Sequence, residues 1–78
     1  MARLNKEHFK MESKGRNNIH DVVTASYHSF IFDGKKYFQI DSYGKSNRKN
    51  PDKVSQTIQF DKEFAEKIVT LLKQEFQI

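Results

Sequence analysis

The chain contains no cysteine and no tryptophan, one proline and three glycines. Without cysteine there is no disulfide framework and no thiolate for a zinc site. The histidines His8, His20 and His28 show no metal-ligand spacing, so no metal is expected. Gly15, Gly34 and Gly44 lie too far apart to build a phosphate-cradling loop, so nucleotide-dependent chemistry is unsupported and no cofactor is expected. No apolar run approaches the roughly 18 residues of a membrane span. The opening stretch MARLNKEHFKMESKGR also lacks an apolar signal core, so the expected location is cytoplasmic. Catalytic groups are equally sparse. Asn17-Asn18-Ile19-His20-Asp21 has a faint likeness to small nuclease motifs and Glu12-Ser13-Lys14 to half of a restriction-nuclease site, but neither has its partners in order. The expectation is a protein that is not an enzyme.

What is present is a small, basic, phenylalanine-rich chain. Its 78 residues are 36% hydrophobic with seven Phe, enough for one thin core in one domain. A core of that size, with no disulfide or metal to support it, favours burying further surface in a homodimer. The net charge of +4 is unevenly spread. Positive charge gathers in Met1 to Asn18 and again in Lys35 to Lys53, whereas Ile19 to Gly34 and Ser55 to Ile78 are net acidic. Two basic blocks of this kind attract polyanions, although a solvated basic surface with no partner has the same composition.

Periodicity divides the chain into a basic N-terminal arm, residues 1–18, and a single sheet-plus-helix domain, residues 19–78. The arm is polar and ends in the breaker run Lys14-Gly15-Arg16-Asn17-Asn18. Val22 to Phe32 is rich in β-branched and aromatic residues, Asp33-Gly34 is a turn signal, and Lys36 to Tyr43 follows, so these segments predict a hairpin. Gly44 to Asp52 reads as a polar loop and Lys53 to Phe60 as a third, alternating strand. Asp61 then stands as the N-cap of a helix running to about Gln77, with Phe64, Ala65, Ile68, Val69, Leu71, Leu72 and Phe76 forming its apolar stripe. The expected fold is α+β: an antiparallel three- to four-stranded sheet followed by a C-terminal helix packed on one face.

Strand parity separates two faces. Phe38 and Ile40 join Val54, Gln56, Ile58 and Phe60 towards the helix, while Tyr37, Gln39, Asp41 and Tyr43 join Lys53, Ser55, Thr57 and Gln59 on an open face. The first strand leaves two registers open. A two-residue turn puts Tyr27 and Ile31 on the helix side and Phe30 and Phe32 beside Tyr37; an odd loop does the reverse.

The open face supplies residue types that suit an unpaired polynucleotide. Tyr37 and Tyr43 offer rings on which bases stack, and Lys35, Lys36, Lys45, Arg48, Lys49 and Lys53 offer charge for phosphates. Gln39, Ser55 and Gln59 offer hydrogen bonds to bases or sugars. Strand tyrosines that pack across a sheet and lysines that only keep a protein soluble are the plainer reading of the same residues. The helix, mixed and slightly acidic on its outer face, does not suit a major groove.

The order of a Lys-rich turn, the strand Tyr37-Phe38-Gln39-Ile40-Asp41-Ser42-Tyr43, a basic loop through Arg48 and Lys49, the strand Val54-Ser55-Gln56-Thr57-Ile58-Gln59-Phe60 and an Asp-capped helix resembles the PC4-like family of transcriptional coactivators. That resemblance, spanning about Tyr27 to Phe76, implies a curved antiparallel sheet, dimerisation through helices and single-stranded-DNA binding on the sheet. Where that family approaches its last strand through a Pro-Gly-Lys-Lys-Gly-like run, this chain has Asn50-Pro51-Asp52-Lys53. The run from Tyr37 to Gly44, with Arg48 and Ser55-Gln56, also resembles a family of short bacterial and phage-island reading frames. A mobile-element setting implies either a nucleic-acid-binding accessory or a small inhibitor that docks its basic loop on an acidic surface of a larger enzyme. The function expected from the residues is therefore single-stranded nucleic-acid binding by a homodimer, with protein binding as the alternative.

Overall fold

A computed structural model of the chain describes residues 1–44 and 53–78. Its architecture follows from the hairpin. Asp33 and Gly34 both take positive φ, 53° and 73°, the backbone pair of a type I′ turn whose twist matches that of the strands it joins. The turn is therefore two residues long. It connects β2 (Ala25–Phe32) to β3 (Lys35–Tyr43) in antiparallel register, with Tyr27 opposite Ile40, Ser29 opposite Phe38 and Phe30 opposite Tyr37. Of the two registers the sequence left open, the one with Tyr27 and Ile31 on the helix side is realised. β4 (Val54–Asp61) pairs antiparallel with the other edge of β3, Phe38 facing Phe60 and Ile40 facing Ile58.

The fourth strand comes from the N-terminal arm. β1 (Ala2–Arg3) lies beside β4 and runs parallel to it, Ala2 against Ile58 and Arg3 against Gln59, giving the order β1-β4-β3-β2. The sheet is thus mixed, where an antiparallel sheet throughout was expected. The expectation followed adjacent segments joined by turns, and β1 is joined to β2 by a long connection that leaves it free to enter the far edge in the parallel sense. Its docking continues through Leu4, whose N–H donates to the Gln59 carbonyl at 2.8 Å, and a 3-10 turn (Lys6–His8) capped by Asn5.

The helix α1 (Lys62–Phe76) follows β4 without a loop. Asp61 ends the strand and caps the helix, its carboxylate accepting from the Phe64 N–H at 3.0 Å; Gln77, in the left-handed region, closes the other end by donating to the Lys73 carbonyl. This abrupt change of direction sets Phe64 on the sheet, and Phe64, 2% exposed, is the core residue on which the elements converge. A run of rings crosses the layer: Tyr27 on Phe38 at 5.5 Å, Phe38 on Phe60 at 5.4 Å, Phe60 on Phe64 at 5.1 Å, and Phe64 edge-on to Phe9 of the arm at 4.8 Å. Lys67 holds the arm down by donating to the Phe9 carbonyl at 3.1 Å and the Lys6 carbonyl at 3.3 Å, and Lys6 pairs with Glu63 at 3.5 Å. The helix is packed on the expected face, but it covers only one end of it. Ile40 and Ile58 in mid-sheet and Tyr27 and Ile31 on β2 remain exposed.

Candidate functional site

On the face turned away from the helix, alternation places Arg3 of β1, Gln59 and Thr57 of β4, Tyr37, Gln39 and Asp41 of β3, and His28, Phe30 and Phe32 of β2 side by side. Two chemistries share this surface. One half is aromatic: Phe30 and Tyr37, opposite one another on β2 and β3, stack at 5.8 Å with their planes 24° apart. His28 lies 5.9 Å from Phe30, and the Arg3 guanidinium sits 5.9 Å over the Tyr37 ring. Arg3, Phe30, Phe32, Tyr37 and Gln59 line a groove of about 280 Å³. Flat faces and a guanidinium around an open groove suit a planar, π-bearing ligand.

The other half is a hydrogen-bonded strip across β3 and β4. Gln59 Nε2 donates to Gln39 Oε1 at 2.8 Å, Gln39 Nε2 donates to both carboxylate oxygens of Asp41 at 3.0 and 3.1 Å, and Thr57 Oγ1 donates to Asp41 Oδ1 at 2.7 Å. The chain of donors terminates on Asp41, which is only 8% exposed and whose charge is met by three hydrogen bonds. This fixes the amide orientations. Gln59, with its remaining hydrogen-bonding capacity, borders the aromatic groove.

The residues singled out from sequence distribute as follows. Tyr37, Gln39 and Gln59 stand together on the open face. Ser55 is exposed at a break in the β3–β4 register, where Ser42 faces Gln56 and Tyr43 faces Val54, so alternation does not carry it onto that side; Tyr43 lies half-buried with its hydroxyl sharing a 3.0 Å hydrogen bond with Ser26. Lys35 is also on this side, but its ammonium is engaged with Asp61 Oδ2 at 3.0 Å. That hydrogen bond raises the Lys35 pKa. The Phe64 N–H, and after it Lys35, hold the Asp61 carboxyl below its ordinary range. Lys36 faces the helix side with Ile31 and does not join the group. Lys53 is exposed just before β4. Lys45, Arg48 and Lys49 lie outside the described residues.

Reasoning from sequence missed Arg3, Phe30 and Phe32 as members of the site. For the two phenylalanines a signal existed, because Asp33-Gly34 is a strong two-residue turn pair and that turn length alone sends Phe30 and Phe32 to the Tyr37 side. For Arg3 there was none, since a two-residue parallel strand has no periodicity to read. Among the described residues, no cluster of His, Asp and Glu has the arrangement to hold a metal ion, and no helix is long and apolar enough to cross a membrane.

No protein-family model, curated protein or solved structure matches the chain.

Proposed function

We propose that the protein binds single-stranded nucleic acid across the open face of its sheet, one unpaired base lodging in the groove bordered by Phe30, Phe32, Tyr37 and Arg3. The observation that carries this reading is the stacked Phe30–Tyr37 pair with a guanidinium over it, on a face that the helix leaves uncovered. The half-buried rings of Phe30 and Tyr37 and the exposed Phe32 offer ring surface for a base of any identity, which gives binding with little sequence preference. Gln59, held by Gln39, supplies a polar contact at the edge of the groove. Arg3 and Lys53 supply charge near the sheet, and Lys45, Arg48 and Lys49 supply it from the neighbouring segment of the sequence.

The test is a fluorescence-anisotropy titration with labelled single- and double-stranded oligonucleotides at two salt concentrations. Single strands bind at low salt, binding weakens as salt rises, and duplexes bind less well. Failure to bind single strands at low salt overturns the reading. It would leave the alternative, docking of the basic loop on an acidic protein surface, to be sought by nuclease-treated pull-down with Arg48 replaced.

A further inference from the structure

In the order β1-β4-β3-β2 the outer strand β2 is paired on one side only. Tyr43 donates its N–H to the Thr24 carbonyl at 2.9 Å, so the backbone groups of Thr24 turn inwards. By the alternation of an antiparallel ladder, those of Ser26, His28, Phe30 and Phe32 do the same. The N–H and C=O groups of Ala25, Tyr27, Ser29 and Ile31 therefore point outwards, and among the described residues no hydrogen bond meets them. Edges of this length are ordinarily blunted by a charge, a proline or a bulge. β2 has none of the three: it reads Ala-Ser-Tyr-His-Ser-Phe-Ile-Phe, and its register with β3 is unbroken from Ala25 to Phe32.

The side chains of β2 decide what fits beside it. Tyr27, Ser29 and Ile31 share the helix side; Tyr27 and Ile31 are large and exposed, and Ser29 between them is small. At this gap lies an apolar groove of about 270 Å³ whose lining includes Ser29, Lys36, Phe38, Phe60, Lys62 and Ala65. A residue of an added strand that pairs with Ser29 therefore has its side chain above the serine, beside the groove. The two lysines of the lining are uncommitted. Lys35 is held by Asp61, whereas Lys36 and Lys62 are in no ion pair with another described residue.

We propose that β2 takes up an extended segment of another protein as a fifth strand, antiparallel to it, with a large apolar residue opposite Ser29 and an acidic residue opposite Ile31. The outward backbone groups supply affinity, and the groove with its two lysines supplies selection. Lys36 stands opposite Ile31 on β3, two strand spacings or about 10 Å from the added strand, a distance that a lysine and a glutamate span together. Charge also selects against a second copy of this chain as the occupant. Ala25–Phe32 contains no Asp or Glu, so β2 of another copy leaves both ammoniums unmatched. This edge and its groove lie on the helix side, apart from the groove at Phe30, Phe32 and Tyr37, and the proposal stands independently of polynucleotide binding.

The test uses the full chain and an acetylated, fluorescein-labelled peptide, Thr-Glu-Thr-Phe-Thr-Val-Thr, which sets its Glu opposite Ile31 and its Phe opposite Ser29; anisotropy reads the binding. Saturable binding is expected. Replacing the peptide's Phe by Ala weakens it roughly tenfold or more. N-methylation of that Phe, whose N–H faces β2, has a similar effect, whereas N-methylation of the following Thr, whose N–H faces away, changes affinity by no more than about twofold. On the protein, Ser29→Trp closes the groove and abolishes binding with the far-ultraviolet signal retained. Lys36→Glu combined with Lys62→Glu weakens binding roughly fivefold, and a peptide carrying Lys in place of Glu recovers it, a rescue that misfolding would not show. No saturable binding up to about 1 mM peptide overturns the proposal, as does equal loss with the two N-methylated peptides. A dimer in sedimentation equilibrium that Ser29→Pro turns into a monomer also overturns it, because a second copy then holds the edge.

Discussion

The Lys35 ammonium lies 3.0 Å from Oδ2 of Asp61, so the residue that opens β3 is tied to the one that ends β4 and caps α1. Tyr37, two residues along β3, pairs directly with Asp61 across the strands. The corner that aims the helix is therefore also a boundary of the open face, and changes there have a defined electrostatic signature.

Asp61 has a depressed carboxyl pKa, first because it accepts from the Phe64 N–H and then because of Lys35. A depressed carboxyl stabilises the fold fully above its ordinary value of 3.8, and that contribution is lost as pH falls through the lower, folded value. Asp61→Ala removes the cap and is expected to cost about 1 kcal/mol near neutral pH, whereas Asp61→Asn keeps a capping oxygen and costs less. Lys35→Met removes the secondary cause, so the Asp61 carboxyl moves partway back and acid destabilisation begins at higher pH. Urea unfolding between pH 2 and pH 7 checks all three; an unchanged acid profile in Lys35→Met would show that the ion pair does not act on Asp61.

The turn makes a prediction free of side-chain contacts. Gly34 has φ of 73°, and a Cβ built there meets nothing within 4 Å, so the cost of Gly34→Ala is backbone strain alone. About 1 kcal/mol of destabilisation is expected from placing a side chain in that region. Asp33→Asn, which suits the same positive φ, should leave stability unchanged or raise it slightly. Chemical denaturation of the two variants reads both effects, and a neutral Gly34→Ala would refute the strain argument.

The hydrogen-bonded strip predicts that Asp41→Ala is costly although the residue lies on the open side of the sheet. It strands the Thr57 hydroxyl and a Gln39 amide that now end on the carboxylate, a loss of about 1–3 kcal/mol. Because Gln39 then no longer fixes Gln59, oligonucleotide affinity should fall along with stability. Denaturation midpoints and anisotropy on the same variant test the link; lost stability with unaltered affinity would separate the strip from the binding groove.

Much of this architecture was legible because local signals and long-range partners agreed. Asp61 as cap, the ring positions on β3 and β4 and the helix stripe each follow from a pattern within a few residues, and the elements they predict are those observed. The parallel pairing of Ala2 and Arg3 was not legible. Two residues carry no period, and their partners Ile58 and Gln59 are more than fifty positions away. The site inherited that blind spot: Tyr37, Gln39 and Gln59 were readable by alternation, whereas Arg3 joins them only through the docked arm. Charge was the least reliable guide, since a lysine count does not reveal that Lys35 is spent on Asp61 or that Lys36 points to the opposite face.

The aromatic half of the open face gives the most discriminating prediction for binding. Tyr37→Ala and Phe30→Ala each remove one member of the stacked pair, and each should cost about 1–3 kcal/mol in single-strand affinity while leaving the salt dependence nearly unchanged, because no phosphate contact is lost. Arg3→Gln should behave differently. It removes a cation as well as the guanidinium over Tyr37, so affinity falls and the slope of log affinity against log salt becomes shallower by about one phosphate contact. Neither ring belongs to the run from Phe38 to Phe64 that holds the helix, so the variants should stay folded and the comparison remains clean. Anisotropy titrations at several salt concentrations distinguish the two classes. If Tyr37→Ala and Arg3→Gln both leave affinity untouched while single strands still bind, the polynucleotide lies elsewhere on the molecule and the groove is not its site.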